Sequence, residues 1–398
     1  MNILFLSIGN VQSIDNGGIY PDLLRKFKEN GHNVFIVSPS ERREKNKTQL
    51  NVLNGVHYLT VKTGNITKVN LIEKGISTLL IERQFLNAIK KYYSNITFDL
   101  ILYTTPPITF DRVIKYIKKR DKAKTYLLLK DIFPQNAVDL NMFSKKSLLY
   151  KYFRRKEKNL YHNSDVIGCM SAGNVEYVLK HNREVSKDKV EICPNSIEVN
   201  YVDIEDSKSI REKYNIPTDK TVFVYGGNLG KPQGIDFIIE CLIENKENEN
   251  VHFLIVGSGT EFNRLQTAII NNGLENTTIL SSLPKQDYER LAYSCDVGLI
   301  FLDYRFTIPN YPSRLLSYLQ ASMPVLAATD ESTDVKVTIN RGDFGYWVPS
   351  NDVQEFTKAV SKLTDKQLRN KLGNNARNYL VNNYTSKHSY DIIMKHFK

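Results

Sequence analysis

The 398-residue sequence predicts an α/β protein of two parallel-sheet domains that face each other across a cleft. Three observations carry that expectation. Short apolar runs of strand length alternate with helical patterns along the whole chain, which implies parallel sheets with helices on both faces. A charged, irregular stretch, VNYVDIEDSKSIREKYNIPTDK (199–220), divides the alternation into two runs and marks the domain junction. Glycine-rich turns follow several strands, at the carboxyl ends where open α/β sheets hold ligands.

In the first run, strands are predicted near Ile3–Ile8, Asn33–Ser38, His57–Val61, Leu100–Tyr103, Thr125–Lys130, Val166–Met170 and Val190–Ile192. Helices fall between them at about 18–30, 70–92, 108–120, 147–162 and 172–182. The second run gives strands near Val222–Tyr225, His252–Val256, Thr277–Leu280, Val297–Phe301, Val325–Ala327 and Gly345–Val348. Its helices lie near 233–243, 261–271, 285–293, 312–321 and 353–363, and the tail from 365 to 397 reads as wholly helical. Each run describes a Rossmann-like domain.

Composition narrows the class. Apolar residues make up 41% and charged residues 24%, as in soluble globular proteins. The opening MNILFLSIGNVQS lacks a basic flank and a small-residue cleavage site, so it reads as a first strand and not a signal peptide. No segment approaches the ~20 apolar residues of a membrane-spanning helix. Cys169, Cys193, Cys241 and Cys295 lie outside metal-ligand spacing and within or beside apolar segments, as buried thiols of a cytosolic protein would. The seven histidines are scattered, so neither a metal nor a cofactor is expected.

The charge is one-sided. Residues 1–200 hold 32 Lys and Arg against 19 Asp and Glu, whereas residues 201–398 hold 22 against 24. A basic first half points to an anionic partner. No aromatic-interleaved patch or reader motif supports nucleic acid. An anionic membrane surface fits better, and a plainly solvated basic surface is the alternative. In KKSLLYKYFRRKEKNLYH (145–162), Leu148, Leu149, Tyr152 and Phe153 alternate with Lys and Arg at helical spacing, as in an interfacial helix or a core helix with a basic outer face. Helix 70–92 offers a second apolar face.

Four loops carry the chemistry. In GNVQSIDNGGIYPDLL, Gly17 and Gly18 precede a helix, where bare N–H groups suit a phosphate or sugar oxygen. In FVYGGNLGKPQGIDFIIECL (223–242), Gly226 and Gly227 let the backbone approach a ligand, while Gly230 and Gly234 relieve the turn into the helix. Lys231 adds a cation there, and Asn228 and Gln233 add neutral donors, a set that fits a diphosphate. The spacing is not GxGxxG and opens the second half, which argues against a dinucleotide oxidoreductase. FLIVGSGTEFNRLQ (253–266) brings Gly257 and Gly259 to a third strand–helix turn. In the fourth, Pro312, Ser313 and Arg314 are read as starting a helix, with the N–H groups of Ser313, Arg314 and Leu315 turned inward. Arg314 suits a phosphate, and Ser317 and Tyr318 lie within reach of a sugar hydroxyl one turn on.

With these loops in order, the chain resembles the family 4 retaining glycosyltransferases of the GT-B fold over nearly its whole length. The likeness is most specific in GNLGKPQGID, VGSGTE and PSRLLSYLQASMPVLA. LLLKDIFPQNAVDL (127–140) is similar to the "DLWPES" stretch of a bacterial subgroup that builds O-antigens, capsules and other surface polysaccharides. Some members of that subgroup transfer N-acetylfucosamine or a similar deoxy amino sugar from UDP. DVIGCMSAGNVEYVLKH and VEICPNSIE match the family's last N-domain strand and its "PNG" exit, with Asn195-Ser196 at the exit.

The resemblance implies an acceptor domain at 1–198, a nucleotide-sugar domain at 199–380, and a helix at 381–398 that packs back on the first domain. It implies donor-diphosphate binding by Gly227, Asn228, Lys231, Gln233, Ser313 and Arg314, with Gly257, Gly259, Pro312, Leu315, Ser317 and Tyr318 in the same site. The nucleobase falls near Leu283, and Gly17, Gly18 and Lys130 face the acceptor. The chain departs from the family pattern at Asn228 and Gln233, where Arg and Lys are usual. It departs again at Pro309 and Ser317, where two glutamates are usual, and at Lys130-Asp131, where a histidine is common.

The reaction so implied transfers a glycosyl group from a UDP-sugar, without metal, to an undecaprenyl-pyrophosphate-linked sugar at the inner face of the cell membrane. Lys231 and Arg314 stabilise the leaving UDP. Asp131 either orients and deprotonates the acceptor hydroxyl or only caps the turn in KDIFPQ. The alternatives are a non-hydrolysing sugar-nucleotide epimerase and an inactive UDP-sugar-binding partner.

Overall fold

A computed structural model describes residues 1–9, 11–66, 71–201 and 206–397. The chain divides into two compact units, Met1–Glu198 with Thr385–Lys398, and Val199–Tyr384.

The first unit opens with β1 (Asn2–Leu6), α1 (Ile19–Glu29), β2 (Asn33–Glu41), β3 (Gln49–Leu53) and β4 (Val56–Thr63). There follow α2 (Leu71–Tyr92), β5 (Leu100–Thr104), α3 (Asp111–Asp121), β6 (Lys124–Leu129) and α4 (Gln135–Asp139). α5 (Leu148–Asn163), β7 (Val166–Cys169), α6 (Ala172–His181) and β8 (Val190–Ile192) complete the run. The sheet order is β3-β4-β2-β1-β5-β6-β7-β8. Only β3 is antiparallel, paired with β4 across an Asn54-Gly55 turn in which both residues have positive φ. The sequence reading missed this hairpin, although Asn-Gly between two such runs is its usual signal.

α2, α3, α5 and α6 cover one face of this sheet with residues such as Phe85, Ile114, Leu160 and Val178. Phe153 belongs to that core, so it does not join Leu148, Leu149 and Tyr152 on the exposed side of α5. Leu23, Leu24 and Phe27 of α1 cover the other face.

The second unit contains α7 (Ser207–Lys213), β9 (Thr221–Asn228), α8 (Ile235–Glu244), β10 (Val251–Ser258), α9 (Phe262–Asn271) and β11 (Thr277–Ser281). It continues with α10 (Lys285–Tyr293), β12 (Val297–Phe301), α11 (Leu315–Gln320), β13 (Val325–Thr329) and α12 (Val335–Gly342). β14 (Gly345–Pro349), α13 (Val353–Lys362) and α14 (Lys366–Asn383) end it. The sheet order is β11-β10-β9-β12-β13-β14, parallel throughout.

The stretch 199–220 is not irregular throughout, because α7 lies in it; its residues 202–205 fall outside the described residues. The tail is not one helix either. It breaks after α14 at Tyr384, and Thr385 accepts a hydrogen bond from the His388 N–H to start α15 (Ser386–Met394). α15 packs on α1 in the first unit, where the Tyr390 ring meets Phe27 at 5.0 Å between centroids.

Candidate active site

In the second unit β9 is flanked by β10 and β12, so the chain winds away from it in both directions. The carboxyl ends of β9 and β12 therefore bound a topological switch point, where open α/β sheets bind ligands. The turn 226–234 and the loop 302–314 meet there.

At Gly226 a Cβ would collide with the phenol of Tyr288. Gly227 has φ +138°, which an L side chain rarely adopts, and a Cβ there would lie 3.1 Å from Arg314 Nη2. The Arg314 guanidinium stacks 4.2 Å from the Tyr225 ring centroid, and Tyr225 is fixed by donating its phenol hydrogen to Asn228 O at 2.7 Å. Nη1 of Arg314 is buried and has no hydrogen-bond partner among the described residues. A guanidinium offers five donors and cannot shed its charge, so an unsatisfied buried donor costs about 1–3 kcal/mol unless an anion meets it. Lys231 is exposed on the next turn and makes no ion pair among the described residues.

The remaining predicted donor residues divide. Gln233 braces the turn from within: its side-chain oxygen accepts from Asn228 Nδ2 at 2.9 Å and from the Gly230 N–H at 3.1 Å. These contacts commit Asn228 Nδ2 and Gln233 Oε1 to the turn, so the two side chains are not simply a pair of free donors. Gly257 and Gly259 serve loop stacking, since a Cβ at either would strike the carbonyl oxygen of Gly227 or Leu229. α11 begins at Leu315 and not at Pro312. Leu315 is buried and its N–H donates to Pro312 O at 3.2 Å, so it offers no free donor.

Ser313 is exposed, and the N–H groups of Ser313 and Arg314 have no partner among the described residues. Ser317 is half-buried on the first turn of α11. Tyr318 is a core residue: its phenol lies 3.1 Å from Val224 O and 3.0 Å from Leu299 O, between two strands and away from any sugar. Leu283 is half-buried just after β11. Asp303 went unread in the sequence. Its N–H donates to Pro232 O at 2.9 Å, its carboxylate grips Arg305 at 2.8 and 2.7 Å, and Gly234 packs on its backbone. Asp-x-Arg directly after a strand was the available signal.

In the first unit the switch point lies between β1 and β5. Gly17 and Gly18 lead into α1 there, and Arg25 steadies their loop by donating to Ile14 O and pairing with Asp22. Thr105, just past β5, accepts from the backbone N–H groups of Lys130 (2.9 Å) and Asp131 (3.2 Å) and so gathers both at the rim. Lys130 Nζ donates to Cys193 O at 3.2 Å, and burial pulls its pKa down to about 8. The Asp131 carboxylate accepts from Asn136 Nδ2 at 2.8 Å. Burial pushes its pKa up to about 6, against the hydrogen bonds from the Ile132 N–H and Asn136.

Residues 206–379 match the family model described as glycosyl transferases group 1. The chain is 24% identical over 322 residues to "Probable glycosyltransferase WbjE" of Pseudomonas aeruginosa, covering 80% of this chain and 78% of that one. It is 24% identical over 205 residues to WcaI of Escherichia coli K12, whose name assigns it to colanic acid biosynthesis, covering 50% and 49%. Among solved structures, Anabaena HepE in complex with UDP and glucose aligns with a TM-score of 0.72 at 14% identity, covering 100% of this chain and 99% of HepE. WaaG, a glycosyltransferase involved in lipopolysaccharide biosynthesis, aligns with a TM-score of 0.68 at 14% identity, covering 98% and 99%. The fold is GT-B, and the chain is a glycosyltransferase enzyme.

Proposed function

We propose that this glycosyltransferase moves a sugar from a UDP-sugar donor to a lipid-pyrophosphate-linked saccharide in bacterial capsule or O-antigen synthesis. The observation that carries the reading is Arg314, held over Tyr225 against Gly227 with a buried donor that lacks an acceptor. A diphosphate supplies that acceptor and a charge for Lys231 as well. The names of WbjE, WcaI and WaaG favour a bacterial surface glycan, and HepE was solved with UDP and glucose. An N-acetylated deoxy amino sugar such as N-acetylfucosamine is the assigned donor sugar, on the likeness around KDIFPQ.

In this reaction the bond between the anomeric carbon and the donor phosphate oxygen breaks, and UDP leaves with the electron pair. The acceptor oxygen bonds the same face of that carbon, so configuration is retained, and its proton passes to the departing phosphate. Lys231 and Arg314 stabilise the charge that grows on the leaving group. Asp131 orients the acceptor hydroxyl, with Lys130, Gly17 and Gly18 beside it. The reading assigns no metal or cofactor and places the enzyme at the inner face of the cell membrane.

The test pairs a thermal-shift screen of UDP-sugars with turnover on an undecaprenyl-pyrophosphate-linked sugar, with and without EDTA. Stabilisation by UDP-sugars and EDTA-resistant transfer are expected. A donor altered with no acceptor present, or stabilisation without transfer to any lipid-linked sugar, overturns the reading.

A further inference from the structure

We infer that the N-terminal halves of α2 and α5 form a docking face for an anionic lipid bilayer. α2, α3, α5 and α6 cover the same face of the first sheet and each returns between parallel strands, so all four begin at the carboxyl rim of the sheet.

Six large apolar side chains are exposed in the N-terminal halves of α2 and α5: Ile76, Leu79 and Leu80 on α2, and Leu148, Leu149 and Tyr152 on α5. Their exposure runs from 41% at Tyr152 to 83% at Leu148. Farther along the same helices Phe85, Phe153 and Leu160 turn into the core. Lys156 of α5 reaches Asp111 of α3 at 2.7 Å and Glu82 of α2 at 3.4 Å, which ties the three helices to one another. Large apolar side chains exposed three to a helix mark an interaction surface.

Charge selects the occupant. Lys145, Lys146, Lys151 and Arg155 are exposed and make no ion pair among the described residues. Helical spacing sets Lys151 and Arg155 on the flank of Leu148 and Tyr152. The one acid between 145 and 158, Glu157, is buried and paired with Arg154. Apolar side chains flanked by long, unpaired cations suit an interface of acyl chains below anionic headgroups.

The same rim carries Gly18, Thr105, Lys130 and Asp131, so docking here brings the acceptor residues to the bilayer. In that respect the inference rests on the lipid-linked acceptor proposed above.

Vesicle flotation of the full chain, with phosphatidylglycerol-containing or pure phosphatidylcholine vesicles and no acceptor present, tests it. The wild type is expected to float with the anionic vesicles and to be released by salt. The triple changes Leu148→Glu/Leu149→Glu/Tyr152→Glu and Ile76→Glu/Leu79→Glu/Leu80→Glu should each weaken partitioning by at least ~10-fold with the melting temperature unchanged. A wild type that stays unbound, variants that float as it does, or variants that only dissolve a dimer seen by sedimentation would overturn the docking face. A wild type that floats yet transfers to no lipid-linked sugar leaves the docking face standing and removes the proposed reaction.

Discussion

Arg314 and Asp131 are both charged groups that the fold withdraws from water, and they meet that loss in opposite ways. The guanidinium keeps its charge at any accessible pH, so only a stacking ring and an anion can compensate it. The carboxyl can take up a proton, and burial already holds it near pH 6. If the Asp131 carboxylate orients the acceptor, turnover falls as pH drops through about 6, where that form is lost. If the Lys130 ammonium holds the acceptor, turnover falls again as pH rises through about 8. The expected profile of kcat/KM is a bell between those limbs. Asp131→Asn should remove the acid limb and lower the rate roughly 100-fold, and Lys130→Arg should carry the alkaline limb upward. An acid limb that survives in Asp131→Asn assigns it elsewhere. The chemistry of these residues was legible in the sequence, but their commitments were not. Nothing in PSRLLSYLQ distinguishes Arg314, with its unsatisfied donor, from Tyr318, whose phenol is held by strand carbonyls ninety-four and nineteen residues away.

The glycines of the second unit do two different jobs. Gly227 leaves the site open beside Arg314, whereas Gly257 and Gly259 let β10 and its turn press on the backbone of the β9 turn. Gly257→Ala should therefore act on stability before chemistry. The Cβ meets Gly227 O, a backbone atom that cannot swing aside, and the expected cost is about 1–3 kcal/mol. Thermal unfolding with and without UDP checks it: a lower melting temperature accompanied by weaker UDP stabilisation is expected, and an unchanged melting temperature removes the packing role. Strand and helix periods were readable wherever an element buries a full face. Readings failed where local chemistry decides. The Asn54-Gly55 hairpin, the late start of α11 after Pro312, and the break at Thr385 are each set by one or two residues and not by a period.

The basic charge belongs to one unit: the first holds 35 Lys and Arg against 20 Asp and Glu, and the second 19 against 23. That division suits a first unit that works at an anionic surface and a second that binds its anion through a few placed groups. The last helix completes the first unit, because Ile393 and Met394 of α15 are buried beside Leu23, Leu24 and Phe27 of α1. A chain ending at Tyr384 should lose about 2–5 kcal/mol of stability from the first unit while UDP still stabilises the second. Two calorimetric transitions, with only the UDP-insensitive one lowered, are the expected record; a uniform loss speaks against the assignment.

The account rests most heavily on a nucleoside diphosphate held by the second unit between Gly227 and Arg314. Calorimetric titration of UDP into the wild type and Arg314→Ala measures this directly. Saturable binding that weakens roughly 10- to 100-fold in the variant is predicted, and equal affinity in the two proteins would contradict it.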